Sequence, residues 1–192
     1  MKNFLGVFSF VVLIVSPTLS FGIAFDIWET GMSINEVVGL ARKHDIPIAR
    51  DGIIHGSKKF DPRLIDDSFY KASSLYYRAT ISGRNSIVYL RLTDDPKFIV
   101  EIDVKLLGIT DRELFTKEML AILKQKYGRY KERKEPIFQV YEWRPDQFSQ
   151  ILMKIFGPEA SIIYTDLRIK ELLENQRREK ERKSIKKDAG KF

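Results

Sequence analysis

The stretch Thr110 to Gly128, T-D-R-E-L-F-T-K-E-M-L-A-I-L-K-Q-K-Y-G, decides the fold because it carries the signals of one amphipathic helix from start to stop. Thr110 and Glu113 match a capping box, in which hydroxyl and carboxylate reciprocally satisfy backbone donors that the first helical turn leaves unpaired. Ile109 and Leu114 flank that cap at staple positions. Phe115, Met119, Ile122, Leu123 and Tyr127 recur at helical spacing, and Gly128 supplies a left-handed stop. The same pattern occurs once before: Ser33 and Glu36 form a second box, Met32 and Val37 a second staple, and Val38, Leu40 and Ala41 continue the apolar side. A helix is expected from about Ser33 to Lys43, ended by Asp45-Ile46-Pro47 because the residue before a proline avoids helical geometry.

Each helix is followed by strand signals. After the first, Ile46 to Arg50 reads as a short strand and Asp51-Gly52 as a turn. Residues 53–74, with Pro62, Leu64, Ile65, Phe69 and Tyr70, read as a short helix or an ordered, functional loop, since long structureless connections are uncommon inside a domain. From Leu75 the period becomes two: Leu75, Tyr77, Ala79 and Ile81 alternate with polar neighbours, Gly83-Arg84-Asn85 turns the chain, and Ile87 to Leu92 returns. Phe98, Val100, Ile102 and Val104 then alternate with Ile99, Glu101, Asp103 and Lys105, the pattern of a half-buried strand. After the second helix, Arg129 to Lys134 reads as a basic connection. Strands are expected over 137–143, 148–156 and 161–165, with proline confined to turns and their edges. The expected class is therefore α+β: two helix-plus-antiparallel-meander units packed together, over about 25–107 and 108–166, with a basic C-terminal helix over 167–192.

Residues 1–24 read differently. Met1, Lys2 and Asn3 are followed by an apolar run of twelve residues, Phe4 to Val15, shorter than the roughly 20 a spanning helix needs. Ser16 and Pro17 break the run, and Gly22 and Ala24 place small residues before a cut after Ala24, the pattern of a cleaved secretory signal. An uncleaved N-terminal anchor is the competing reading. The chain of 192 residues has no cysteine, which excludes disulfides, thiolate metal sites, thiol nucleophiles and a lipidated N-terminal cysteine. An exported, cysteine-free domain suits a bacterial periplasm.

The order of capped helix and meander, given twice, resembles the tandem architecture of the beta-lactamase-inhibitor-like proteins. Gly31-Met32-Ser33, Glu36-Val37 and Ile46-Pro47 also resemble the G-M-[ST]-x-x-x-V pattern of the small lipoprotein subunit of the outer-membrane barrel-assembly machinery. The absence of cysteine departs from that lipoprotein, which is lipid-anchored. What the resemblance implies is an envelope binding module without catalysis.

No catalytic motif emerges from the residues themselves, and no cofactor or metal is expected. His44 lies where it favours a helix C-terminus, and His55 lies in a glycine-flanked loop. Their spacing matches no familiar metal pair. Asp94-Asp95 fits a turn and Asp66-Asp67 a cap. A hydrolase using the 53–74 loop, with His55, Asp66 and Asp67 converging, is an alternative of a different class. Aromatic residues make up 12% of the chain. Most suit strand pairs, but a sheet covered by helices on one side leaves Tyr76 or Tyr141 free to anchor a partner. From 167 to 192, ten Lys or Arg stand against five Asp or Glu, a net of +5, leaving +2 of the total +7 for everything before. Glu174 with Arg178 and Glu179 with Lys183 stand four apart in the favourable order for a solvated helix. Arg177, Arg178, Lys180, Arg182, Lys183, Lys186 and Lys187 could instead engage an acidic envelope protein or an anionic membrane surface. Nucleic acid would suit the charge, but export argues against it.

Overall fold

The computed structural model describes residues 22–53 and 58–189. A short hairpin, β1 (Ala24–Phe25) with β2 (Trp28–Glu29), precedes α1 (Ile34–Lys43) and β3 (Ala49–Arg50). A single 3-10 turn, Pro62–Leu64, and the short α2 (Asp67–Lys71) lead to β4 (Ser74–Ile81), β5 (Arg84–Leu92) and β6 (Ile99–Leu106). The second unit comprises α3 (Arg112–Tyr127), β7 (Tyr130–Lys134), β8 (Gln139–Trp143), β9 (Ser149–Phe156) and β10 (Glu159–Asp166), followed by α4 (Leu167–Ala189). Without the excursion between β3 and β4, each unit is one helix and then four strands.

The two meanders are halves of one eight-stranded sheet in the order β3-β4-β5-β6-β10-β9-β8-β7, antiparallel throughout. The last strand of each unit forms the seam, from Ala160 opposite Leu106 to Thr165 opposite Glu101. Side chains alternate across a strand, so register fixes which face each enters. One face carries Leu75, Val88, Leu90, Ile102, Val104, Met153, Ile151 and Trp143, all buried, and the helices contribute Val37, Ala41, Phe115, Met119 and Leu123 to the same core.

The first helix starts as expected. Ser33 Oγ accepts from the Glu36 N–H at 3.3 Å, and Glu36 Oε2 accepts from the Ser33 N–H at 2.7 Å. The Ser33 bonds hold the Glu36 carboxyl below its ordinary pKa. Gly128, with φ of 81°, stops α3 and donates its N–H to the Lys124 carbonyl at 2.9 Å.

The start of α3 departs from the expectation by one residue. Asp111, not Thr110, is the cap, its carboxylate accepting from the Leu114 N–H at 2.9 Å. Ile109 is held back by its own N–H, which donates to the Pro158 carbonyl at 2.8 Å, and the helix begins after Asp111. Leu114 consequently points outward, 50% exposed, while Ile109 is buried; they form no staple. Ile122 is equally exposed because the buried stripe is the narrower Phe115, Met119, Leu123 series, and a helical residue turns about 100° from its neighbour.

Two further elements differ. Arg129 to Lys134 is largely a strand, β7, paired with β8 from Tyr130 opposite Trp143 to Lys134 opposite Gln139. The β4–β5 turn is Ser82-Gly83, at φ of 51° and 73°, with Ile81 opposite Arg84. Two positive φ values make this the turn type whose twist matches that of the flanking strands. The boundary expected after Ala24 falls inside the β1–β2 hairpin. That hairpin is anchored by Trp28, fully buried, whose indole N–H donates to the Tyr77 hydroxyl at 2.9 Å. Burial pushes the Tyr77 phenol up to about 12.

Candidate interaction surface

The face opposite the helices is polar and partly open. Register aligns three rows across it: Ser74, Arg91, Glu101, Thr165 and Gln150; then Tyr76, Tyr89, Asp103, Ile163, Leu152, Glu142 and Lys131; then Arg78, Ile87, Lys105, Ser161, Lys154, Val140 and Arg133. Tyr76, Ile87, Tyr89, Leu152 and Ile163 are half-buried, and Arg78, Arg91, Lys131 and Arg133 are exposed. The helix side holds the core; this side presents aromatic and aliphatic patches between charges.

Tyr76 and Tyr89 form the aromatic pair of this surface, ring centroids 6.0 Å apart. Tyr76 is pinned by its hydroxyl, which donates to the Ile53 carbonyl. The Lys105 ammonium stands 5.0 Å from the Tyr89 ring centroid, within cation–π range. Arg91 Nε binds Glu101 Oε1 at 2.8 Å and its Nη2 lies 3.8 Å from Asp103 Oδ2. On the other unit, Glu142 receives Arg144 at 2.6 Å, Gln150 at 2.8 Å and Arg133 at 3.3 Å.

Asp103 sits beside the seam, opposite Ile163, and is 4% exposed. Among the described residues, its Oδ1 has no hydrogen-bond partner. Burial raises its pKa, opposed by Lys105, a bond from Ser161, Arg91 and Lys154. Glu101 is raised as well, by burial first, with Arg91 opposing and Asp103 adding to the shift. Burial also works against the Glu142 charge, but the bonds from Gln150 and Arg144 and the charges of Arg144 and Arg133 outweigh it and hold this carboxyl below its ordinary range. The surface thus has an ordered charge pattern: a carboxylate near the seam that burial disfavours, and a satisfied one toward the β7 edge.

The residues expected to bind a partner divide. Tyr76 lies on this face. Tyr141 does not: its register opposite Met153 places it on the helix side, 4% exposed and edge-on to the Tyr130 ring at 5.5 Å. It lines an open cleft of about 600 Å³ beside α3 with Arg112, Lys117 and Leu120. Arg177, Arg178 and Arg182 are exposed on α4. Arg177 binds Glu181 at 2.9 Å and Arg178 reaches Glu174 at 4.0 Å, the latter pair as expected. Lys180, Lys183, Lys186 and Lys187 lie on that helix, with their side chains outside the described residues. Leu172 of α4 is 58% exposed. Asp166 caps α4 through the Arg168 N–H at 2.9 Å.

The structure gives Asp66 of the alternative hydrolytic site a capping role. His44 caps the end of α1, His55 lies outside the described residues, and the Asp66 carboxylate accepts from the Phe69 N–H at 2.8 Å to start α2. Among the described residues, no three His, Asp or Glu converge as a metal-binding group. Tyr89, Arg91, Lys105 and Lys154 were not singled out from sequence. The alternation that marks β6 as half-buried did contain the signal, since Glu101, Asp103 and Lys105 must then share the outer face.

No family model, curated protein or solved structure matches the chain.

Proposed function

We propose that this protein is an exported, non-catalytic interaction module of the bacterial envelope, and that the sheet face opposite α1 and α3 docks an acidic segment of another envelope protein. One observation carries the reading. Six basic residues, Arg78, Arg91, Lys105, Lys131, Arg133 and Lys154, share that face with four acidic ones, Glu101, Asp103, Glu142 and Glu159, around half-buried Tyr76, Tyr89, Leu152 and Ile163. Aromatic and aliphatic anchors ringed by charge are the composition of a recognition patch, and a cationic excess selects an anionic partner. Export rests on the leader pattern of the first residues.

The test is a saturable binding measurement between the processed protein and its captured envelope partner. The double charge reversal Lys105→Glu with Lys154→Glu is expected to weaken binding at least tenfold while the circular dichroism spectrum is retained. Unchanged affinity in that variant overturns the docking face.

A second reading, association of α4 with anionic phospholipid, draws on the +5 excess after Asp166 and on the exposure of Arg177, Arg178 and Arg182. Each basic residue near such a surface contributes about 1 kcal/mol. Flotation with anionic vesicles that is lost on raising salt and on deleting residues 177–192 supports it; salt-indifferent flotation counts against it.

A further inference from the structure

Removal of the leader after Ala24 would take Gly22, Ile23 and Ala24 from the mature chain, and the fold uses all three. Ile23 is 7% exposed and belongs to the hydrophobic core. Its N–H donates to Thr30 Oγ1 at 2.9 Å and its carbonyl accepts from the Thr30 N–H at 3.1 Å. Thr30 is itself 3% exposed, so losing Ile23 would strand two buried polar groups, an expensive change. The Gly22 N–H donates to Glu29 Oε1 at 2.9 Å. A Cβ at Gly22 would stand 2.1 Å from the Thr30 carbonyl oxygen, so the backbone there is seated as closely as only glycine allows. Ala24 pairs with Glu29.

This clasp is joined to the main sheet. Immediately after Thr30, the Gly31 N–H donates to the Ile99 carbonyl at 2.7 Å, and the Ile99 N–H donates to the Met32 carbonyl at 2.9 Å. Phe25 lies 5.5 Å from the Tyr164 ring, across the seam strand β10. Residues 22–25 therefore hold the start of β6 and the beginning of α1 in place. They are body, not leader.

The sequence offers another cut just upstream. Pro17 ends the apolar run, and Thr18 and Ser20 put small residues at the third and first positions before the Ser20–Phe21 bond. A cut one residue later would put the bulky Phe21 at the first position. We propose that a membrane signal peptidase hydrolyses the Ser20–Phe21 bond, so that the mature chain begins at Phe21 and keeps the whole clasp. One water adds across the amide, leaving a carboxylate on Ser20 and a free α-amine on Phe21. The inference rests on the exported reading above.

The experiment is expression of the full chain in a Gram-negative host, followed by intact mass and N-terminal sequencing of the envelope fraction. A chain starting at Phe21 is expected, with Ser20→Leu blocking processing and Ala24→Leu leaving it unchanged. A start at Phe25, or a block by Ala24→Leu, overturns the site while leaving export standing. An unprocessed chain confined to the cytosol overturns export, and the site with it; an unprocessed chain in the membrane overturns the site in favour of an anchor. In a second measurement, purified protein starting at Phe25 is expected to melt roughly 5–10 °C below protein starting at Phe21, from the lost core side chain and stranded bonds. Equal melting temperatures would show that the clasp is dispensable and remove the structural ground for the proposal.

Discussion

The two units close their common sheet in opposite ways. At one end, β3 has only two residues and is protected by the excursion that follows it: the Asp51 N–H donates to the Ser74 carbonyl at 3.0 Å, Tyr76 reaches the Ile53 carbonyl, and Phe69 of α2 is fully buried. At the other end, β7 runs for five residues, Tyr-Lys-Glu-Arg-Lys, with the last four exposed. An edge strand presents unpaired backbone groups to any passing chain, and cover or charge are two ways of blunting it. The inner strands share one constraint, an apolar side beneath the helices, and follow the same plan. The edges share none, and differ.

The largest effect that would break this comparison comes from Phe69. Phe69→Ala is expected to cost about 3–5 kcal/mol, as truncation of a fully buried aromatic does. The counterpart Ile137→Ala, at a side chain 79% exposed beside β7, should stay within about 0.5 kcal/mol. Chemical denaturation checks both, and similar costs at the two ends would show that the edges are not protected differently.

The helices give the next contrast. Ser33→Ala in the first unit and Asp111→Ala in the second should each cost about 1 kcal/mol, the usual loss for a cap. Thr110→Ala should be near neutral, within about 0.5 kcal/mol. A Thr110 effect as large as that of Asp111 would restore the capping box that the sequence suggests and the structure lacks.

An effect of the opposite sign lies at the seam, where Asp103 of β6 faces Ile163 of β10. Because burial raises the Asp103 pKa, the folded chain binds more protons than the unfolded one just above the ordinary carboxylate range. This contribution to stability is present at low pH and is lost as pH rises through the raised value. Asp103→Asn, which keeps a neutral acceptor for Ser161, should therefore raise the melting temperature at pH 7 by about 2–4 °C, the response to roughly 1 kcal/mol in a domain of this size. It should also flatten the pH dependence in that window. A drop in stability at pH 7 would mean that Arg91, Lys105 and Lys154 stabilise the carboxylate more than burial penalises it.

What was legible in the sequence was local. Ser33 with Glu36 named the start of α1, Gly128 the end of α3, and the alternation from Phe98 to Lys105 the half-buried β6, because each signal is completed within a few residues. Tyr130 to Lys134 gave no strand signal: an edge strand with one flank in solvent needs no apolar period. Tyr141 was placed on the wrong side because a lone aromatic in a strand does not reveal which neighbours share its face. That depends on register with Met153, set by the β8–β9 pairing. Of the open sheet face proposed to bind a partner, only Tyr76 was anticipated.

The sequence by itself determined an α+β chain of two successive helix-and-strand units, since capping and alternation act between near neighbours. Only the tertiary structure decided that β6 and β10 pair, which turns two meanders into one sheet. That pairing depends on strands about sixty residues apart in the chain. From it follow the buried core beneath both helices and the charged face opposite, and only the folded chain shows that Ile23 belongs to the core.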